Sequence, residues 1–208
     1  MSRPAYRIFV DTETTGLEEG PDKGELLEIA IVREEITAPF TQRGKITDTW
    51  VRKILPTHIE TASPEALRVN GYLPELWEGA VSLESVASEL SAKLINATWV
   101  GHNPTFDRDF ILNSLKRIGQ APKIQRRLID TTTMAYMAWG LDGELHLGMD
   151  SLRTHLGIST EGAHGALKDA MDCREVFYRS LASRRGLIAR IRDWFLGRPT
   201  VAVGSYTP

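Results

Sequence analysis

An apolar strand that ends in two acids constrains this chain more than any other stretch. Ile8, Phe9 and Val10 are apolar at consecutive positions, so both faces of their strand must be covered, as at the centre of a sheet. The chain continues Asp11-Thr12-Glu13-Thr14-Thr15-Gly16. Side chains alternate faces along a strand, so Asp11 and Glu13 point the same way, with Cα atoms about 7 Å apart. Carboxylates at the edge of a core are costly unless something cationic neutralises them. A divalent ion with a preference for hard oxygen ligands, Mg²⁺ or Mn²⁺, does this. Taken alone, the segment also reads as a solvated strand end with capping acids.

Apolar patterning predicts further strands over 26–32 and 49–55, joined by a long polar hairpin connection over 33–48. A helix is expected over 82–96, with Leu83, Val86, Ala87, Leu90 and Leu94 at helical spacing. Short strands at 98–101 and 128–130 each lead into a helix. A short helix near 149–155 ends at Gly157. From about residue 165 a helix carries Ala166, Ala170, Cys173, Phe177 and Leu181 on one stripe. Strands first, then strands alternating with helices, predict an α/β layered domain with a mixed sheet. The formal charge is −2, so attraction for a polyanion must be local, at a bound metal or a basic patch. The single cysteine, Cys173, excludes an internal disulfide and a thiolate zinc site. No leader or membrane span is read, and a cytoplasmic, reducing setting is expected.

Two further segments carry acids. In His102-Asn103-Pro104-Thr105-Phe106-Asp107-Arg108-Asp109-Phe110, Pro104 suits the first turn of a helix. Asp107 and Asp109 then diverge by about 200°. Asp107, beside the apolar Phe106 and near the helix N-terminus, is assigned to a site, and Asp109 to solvent. His102 reads as a satisfied histidine at a strand end. In His164-Gly165-Ala166-Leu167-Lys168-Asp169, two residues five apart on one helix would diverge by about 140°. His164 is therefore placed on the preceding loop and Asp169 in the first helical turns. Asp172 and Glu175 are read as solvated charge.

Together the three segments resemble the DEDDh branch of the DEDD exonucleases, the DnaQ-like family that includes the proofreading epsilon subunit of bacterial DNA polymerase III. Asp11 and Glu13 match the first motif, Asp107 the second, and His164 with Asp169 the third. The stretch 63–71 is similar to the family's Pro-Glu-Ala…Val-His-Gly segment, with Asn70 where histidine is usual. The resemblance covers roughly residues 6–182. It implies an RNase H-like fold, a five-stranded mixed sheet flanked by helices. It also implies two Mg²⁺ or Mn²⁺ ions held by Asp11, Glu13, Asp107 and Asp169, with His164 as general base. Activity would be 3′–5′ hydrolysis of DNA ends, releasing 5′-mononucleotides. Alternatives on the same fold are an exoribonuclease or a non-catalytic polymerase-associated subunit. Leu17 and Phe106 match residues that pack at the terminal nucleotide. Thr12, Glu65, Ala66, Val69, Asn70 and Asn103 match positions around its sugar and base. Residues 1–183 would form the exonuclease domain, and 184–208 a basic helix and tail. Arg184, Arg185, Arg190, Arg192 and Arg198, with Trp194 and Phe195, suit a phosphate backbone or a polymerase partner. A solvated helix face is the plain alternative.

Overall fold

The computed structural model describes residues 5–18, 24–36, 42–140 and 145–195, with side chains through residue 183. Five strands form one sheet in the order β3-β2-β1-β4-β5. They are β1 (Ala5–Thr14), β2 (Leu26–Ile36), β3 (Lys45–Lys53), β4 (Ala97–Gly101) and β5 (Leu128–Asp130). β1 pairs antiparallel with β2 and parallel with β4, so the sheet is mixed, as expected. β1 is central, which explains its continuous apolar run: Ile8 and Phe9 are 0% exposed although they face opposite ways.

Each sheet face is covered by helices. α2 (Leu83–Leu94) and α3 (Pro104–Arg117) cover one face, burying Leu90, Ile111 and Leu115 against Ile8, Val10, Ile31 and Trp99. Ser82 starts α2 by accepting a bond from the Ser85 amide, which satisfies an otherwise orphaned donor. α6 (Ala166–Phe195) covers the other face and buries the anticipated stripe of Ala166, Ala170, Cys173 and Phe177 against Phe9, Ala30 and Val100. Among the described residues, three short α-helices, α1 (Pro64–Val69), α4 (Thr131–Trp139) and α5 (Met149–Leu156), and two 3-10 turns, Ile59–Thr61 and Pro74–Trp77, complete the fold. Gly157 ends α5 with φ 63°, a left-handed conformation that glycine adopts without steric penalty.

The stretch 33–48 departs from the expected connection. β2 runs on to Ile36 and β3 begins at Lys45, so much of it is paired strand. Its polar letters conceal the strand because one acid is neutralised inside the protein. Glu34 is 0% exposed and accepts from Arg7 and Arg174. α6 crosses residue 183 as one unbroken helix. The basic and aromatic side chains expected between Arg184 and Phe195, and the tail from residue 196, lie outside the described residues. No described helix is long and apolar enough to cross a membrane.

Candidate active site

Strand alternation puts Phe9, Asp11 and Glu13 on the α6 side of the sheet, and Ile8, Val10 and Thr12 on the α3 side. Asp169, in the first turn of α6, meets the acids of β1. Oxygens of Asp11, Glu13 and Asp169 lie within 4.8 Å of one another. Asp107 comes from the first turn of α3 and is 4% exposed. Thr12 reaches from the opposite side of β1 and donates from Oγ1 to Asp107 Oδ1 at 2.7 Å. Three expected acids thus converge directly, and the fourth is bonded into the same strand end. Asp109 is exposed and paired with Arg108, as the 200° argument required.

Burial raises the pKa of every one of these acids, and neighbouring carboxylates add to the shift at Asp11 and Glu13. Burial, then Asp107, Asp169 and Glu13, hold Asp11 well above the ordinary carboxylate range. Burial, then Asp169, Glu28 and Asp107, raise Glu13 to about 8. Burial raises Asp107 to about 7 against the Thr12 hydrogen bond, which favours its ionised form. Asp169 is raised by burial and opposed by Arg153. Neighbouring carboxylates that resist ionisation together are a ready site for cationic charge. An all-oxygen set of this kind suits Mg²⁺ or Mn²⁺ rather than zinc or copper.

Two backbone positions beside the acids are unusual. Asn103 and His164 adopt positive φ, 66° and 63°. Such residues are uncommon outside glycine, though Asn and His are enriched among them. Asp130 stabilises the first by accepting from the Asn103 amide at 3.1 Å while capping α4 through the Thr132 amide at 2.9 Å. The second turns the loop into α6, so that His164 precedes the helix and Asp169 lies within it. His164 is 44% exposed, with Nε2 3.8 Å from Asp150 Oδ2. His102 has the satisfied role expected, with Nδ1 3.0 Å from Thr131 Oγ1.

Of the residues expected around a terminal nucleotide, Leu17 is 85% and Val69 40% exposed. Core packing therefore does not account for Leu17. Phe106 is half-buried and packs on Phe110 with ring centres 4.8 Å apart. Glu65 is exposed and pairs with Arg68, and Ala66 is half-buried in α1. The Asn70 amide donates to the Thr14 carbonyl at 2.7 Å, and the Ser63 amide to the Thr15 carbonyl at 2.7 Å. These bonds tie α1 to the loop that follows the β1 acids. The Thr12 side chain is occupied by Asp107.

Sequence reasoning misplaced two acids and overlooked a cation. Asp172 is 5% exposed rather than solvated, because Arg153 and Lys168 both donate to it. Glu175 is partly covered between Arg43 and Arg179. Arg153, 0% exposed, was not anticipated at the site. A signal for it did exist: Met149, Leu152, Arg153 and Leu156 follow the spacing of a buried helical stripe. A charge within such a stripe calls for buried partners.

A layered α/β domain whose central strand delivers acids to the start of an opposing helix has the form of an RNase H-like nuclease. The Exonuclease family model (RNase_T) matches residues 8–177, and the chain belongs to this family, in its DnaQ-like DEDDh group. It is 30% identical over 172 residues to the PolC-type DNA polymerase III of Thermotoga petrophila, across 83% of this chain but 12% of that protein. It is 26% identical over 178 residues to the DNA polymerase III subunit epsilon of Treponema pallidum, across 86% of this chain and 77% of that one. The chain therefore spans about an eighth of the PolC-type relative and most of the epsilon relative. Among solved structures, E. coli Exonuclease I in complex with a dT13 oligonucleotide aligns with TM-score 0.69 at 19% identity, over 92% of this chain and 43% of that one. Cell-death related nuclease 4 aligns with TM-score 0.66 at 18% identity, over 86% and 64%. At such identities these likenesses establish the fold, the RNase H-like arrangement expected.

Proposed function

We propose that the chain is a 3′–5′ exonuclease acting on single-stranded or frayed DNA ends, releasing 5′-mononucleotides. The observation that carries this is the meeting of Asp11, Glu13 and Asp169, with Asp107 beside them, and the exposed Leu17 four residues along the chain from Glu13. In this reading the four acids hold two Mg²⁺ or Mn²⁺ ions, which when bound stabilise the charge that builds up as phosphorus is attacked. His164, on the exposed rim, takes the proton from the attacking water. Leu17 and Phe106 pack against the terminal nucleotide. Thr12, Glu65, Ala66, Val69, Asn70 and Asn103 surround its sugar and base. Exposed Lys116 and Arg117 in the last turn of α3, with Lys123, Arg126 and Arg127 between α3 and β5, supply local positive charge for the strand. Likeness to epsilon and PolC-type proteins supports a cytoplasmic role in proofreading or repair, with the segment from Arg184 docking a polymerase.

The deciding assay follows Mg²⁺-dependent release of mononucleotides from 3′-labelled linear DNA, matched RNA and closed circular single-stranded DNA. Asp11→Ala serves as the control for contaminating nuclease. Rapid loss of label from linear DNA, with the circle intact, is expected. Rapid cutting of the circle sinks the exonuclease reading, and preference for RNA establishes the exoribonuclease alternative. No release from any substrate leaves a non-catalytic subunit.

A further inference from the structure

A residue outside the expected catalytic set grips one of its members. Arg153 lies on the buried stripe of α5 and is 0% exposed. A guanidinium so placed must find acceptors for its donors. Its Nε donates to Asp172 Oδ2 at 2.7 Å and its Nη1 to Asp150 Oδ1 at 2.6 Å. Its Nη2 donates to Asp169 Oδ1 in a short bond. Asp169 and Asp172, three apart on α6, share a face. Lys168 Nζ braces Asp172 in turn, 2.6 Å from Oδ1. A planar guanidinium can serve three acids in fixed directions at once, whereas an ammonium is a compact point charge on a flexible stem. The same guanidinium holds Asp150, whose other oxygen is the one near His164.

We propose that Arg153 is a positioning residue: from α5 it fixes the Asp169 carboxylate in the orientation that lets it join Asp11 and Glu13 around a divalent cation. The inference rests on the metal reading of the acids given above. It also carries a definite sign. Charge alone would make Arg153 repel a nearby cation, so its loss would tighten metal binding. Positioning requires that its loss weaken binding, because Asp169 is then free to turn away.

The test titrates Mn²⁺ by calorimetry into the full chain and two variants. Arg153→Lys keeps the charge and removes the fork. Arg153→Met with Asp172→Asn removes the guanidinium together with the buried carboxylate it would otherwise orphan, so folding does not depend on an uncompensated buried charge. Circular dichroism checks that each variant is folded. Both should bind Mn²⁺ about 10–100-fold more weakly, the usual effect of removing a partner that orients a metal ligand. The Mn²⁺ dependence of nuclease activity in Arg153→Lys should move to higher concentration by a similar factor, which a purely structural role would not cause. Equal or tighter binding by either folded variant overturns the proposal. Failure of the unmodified chain to bind Mn²⁺ is a separate result and overturns the metal reading itself.

Discussion

The α6-facing side of β1 carries charge at both ends, and the two ends are built in opposite ways. At one end, Arg7 donates to Glu34 at 3.2 Å and to the Tyr178 hydroxyl at 2.8 Å. Arg174 closes the group on Glu34 at 2.6 Å, and Tyr178 donates to the same acid. Two guanidiniums and a hydroxyl thus surround one carboxylate, and the edge-to-face rings of Phe177 and Tyr178 cover Arg7. Four residues along the strand, Asp11 begins a cluster of acids in which Arg153 opposes the raised pKa values of Asp11, Glu13 and Asp169, and it is shared with Asp150 and Asp172. Burial differs in degree, since Glu34 is fully buried while Asp11, Glu13 and Asp169 are partly exposed and Asp107 is buried. Charge balance differs in kind. Where the chain supplies its own counter-charge, a buried acid joins two layers of the fold. Where it does not, the acids are available to an external cation.

This contrast can be broken by removing an acid from each end. Asp11→Ala or Asp107→Ala should reduce Mg²⁺-dependent nucleotide release to background. Either change should leave the metal-free melting temperature the same or higher, because it relieves mutual repulsion. Appreciable activity in either purified variant would refute the metal assignment. A step smaller, His164→Gln should slow release by about 10²–10⁴-fold, the usual contribution of a general base. Its Mn²⁺ titration should match that of the unmodified chain. Parallel loss of Mn²⁺ binding would instead make His164 a ligand.

At the paired end, Glu34→Ala should cost about 3–5 kcal/mol of stability in urea unfolding, since it leaves two buried guanidiniums without their acid. Mn²⁺ affinity of the folded fraction should be unchanged. A drop in affinity would mean that the two ends of β1 are coupled. The last test concerns pH. Glu13 is raised from 4.5 to about 8 and Asp107 from 3.8 to about 7. The folded chain therefore holds these protons more tightly than the unfolded chain. Their contribution to stability is complete below the ordinary carboxylate values and is lost as pH rises through the raised ones. The metal-free melting temperature should fall between about pH 4.5 and about pH 8. Saturating Mg²⁺ should flatten that fall, because ligating carboxylates are ionised. A metal-free melting temperature that climbs across this window contradicts the crowding of the acids.

Much of the site is legible along the chain because its parts obey local geometry. Alternation on a strand puts Asp11 beside Glu13, and helical angle separates Asp107 from Asp109. A helix boundary between His164 and Asp169 follows from the same angular reasoning, and the observed φ of 63° at His164 is the turn that makes it. Asn70 shows where local reading stops. Its amide bonds to the Thr14 carbonyl, fifty-six residues away, and no spacing announces that partner. The polar stretch 33–48 hid the far end of β2 and the start of β3 for the same reason, since Glu34 is neutralised by Arg7 and Arg174 from other parts of the chain.

The sequence by itself determined most of the strands and helices and the apolar faces that form the two core layers, whereas only the resemblance to the DEDDh exonucleases grouped acids from three segments into one centre. The elements and their faces depend on a period of about two or 3.6 residues, which every short segment carries in its own covalent geometry. Only the tertiary structure decided which charges are neutralised within the protein. Asp172 reads as a solvated helix residue until α5 lays Arg153 against it, and the three acids that close around Arg153 come from its own helix and from α6. The desolvation that makes such partners necessary arises only when separate elements pack together and exclude water.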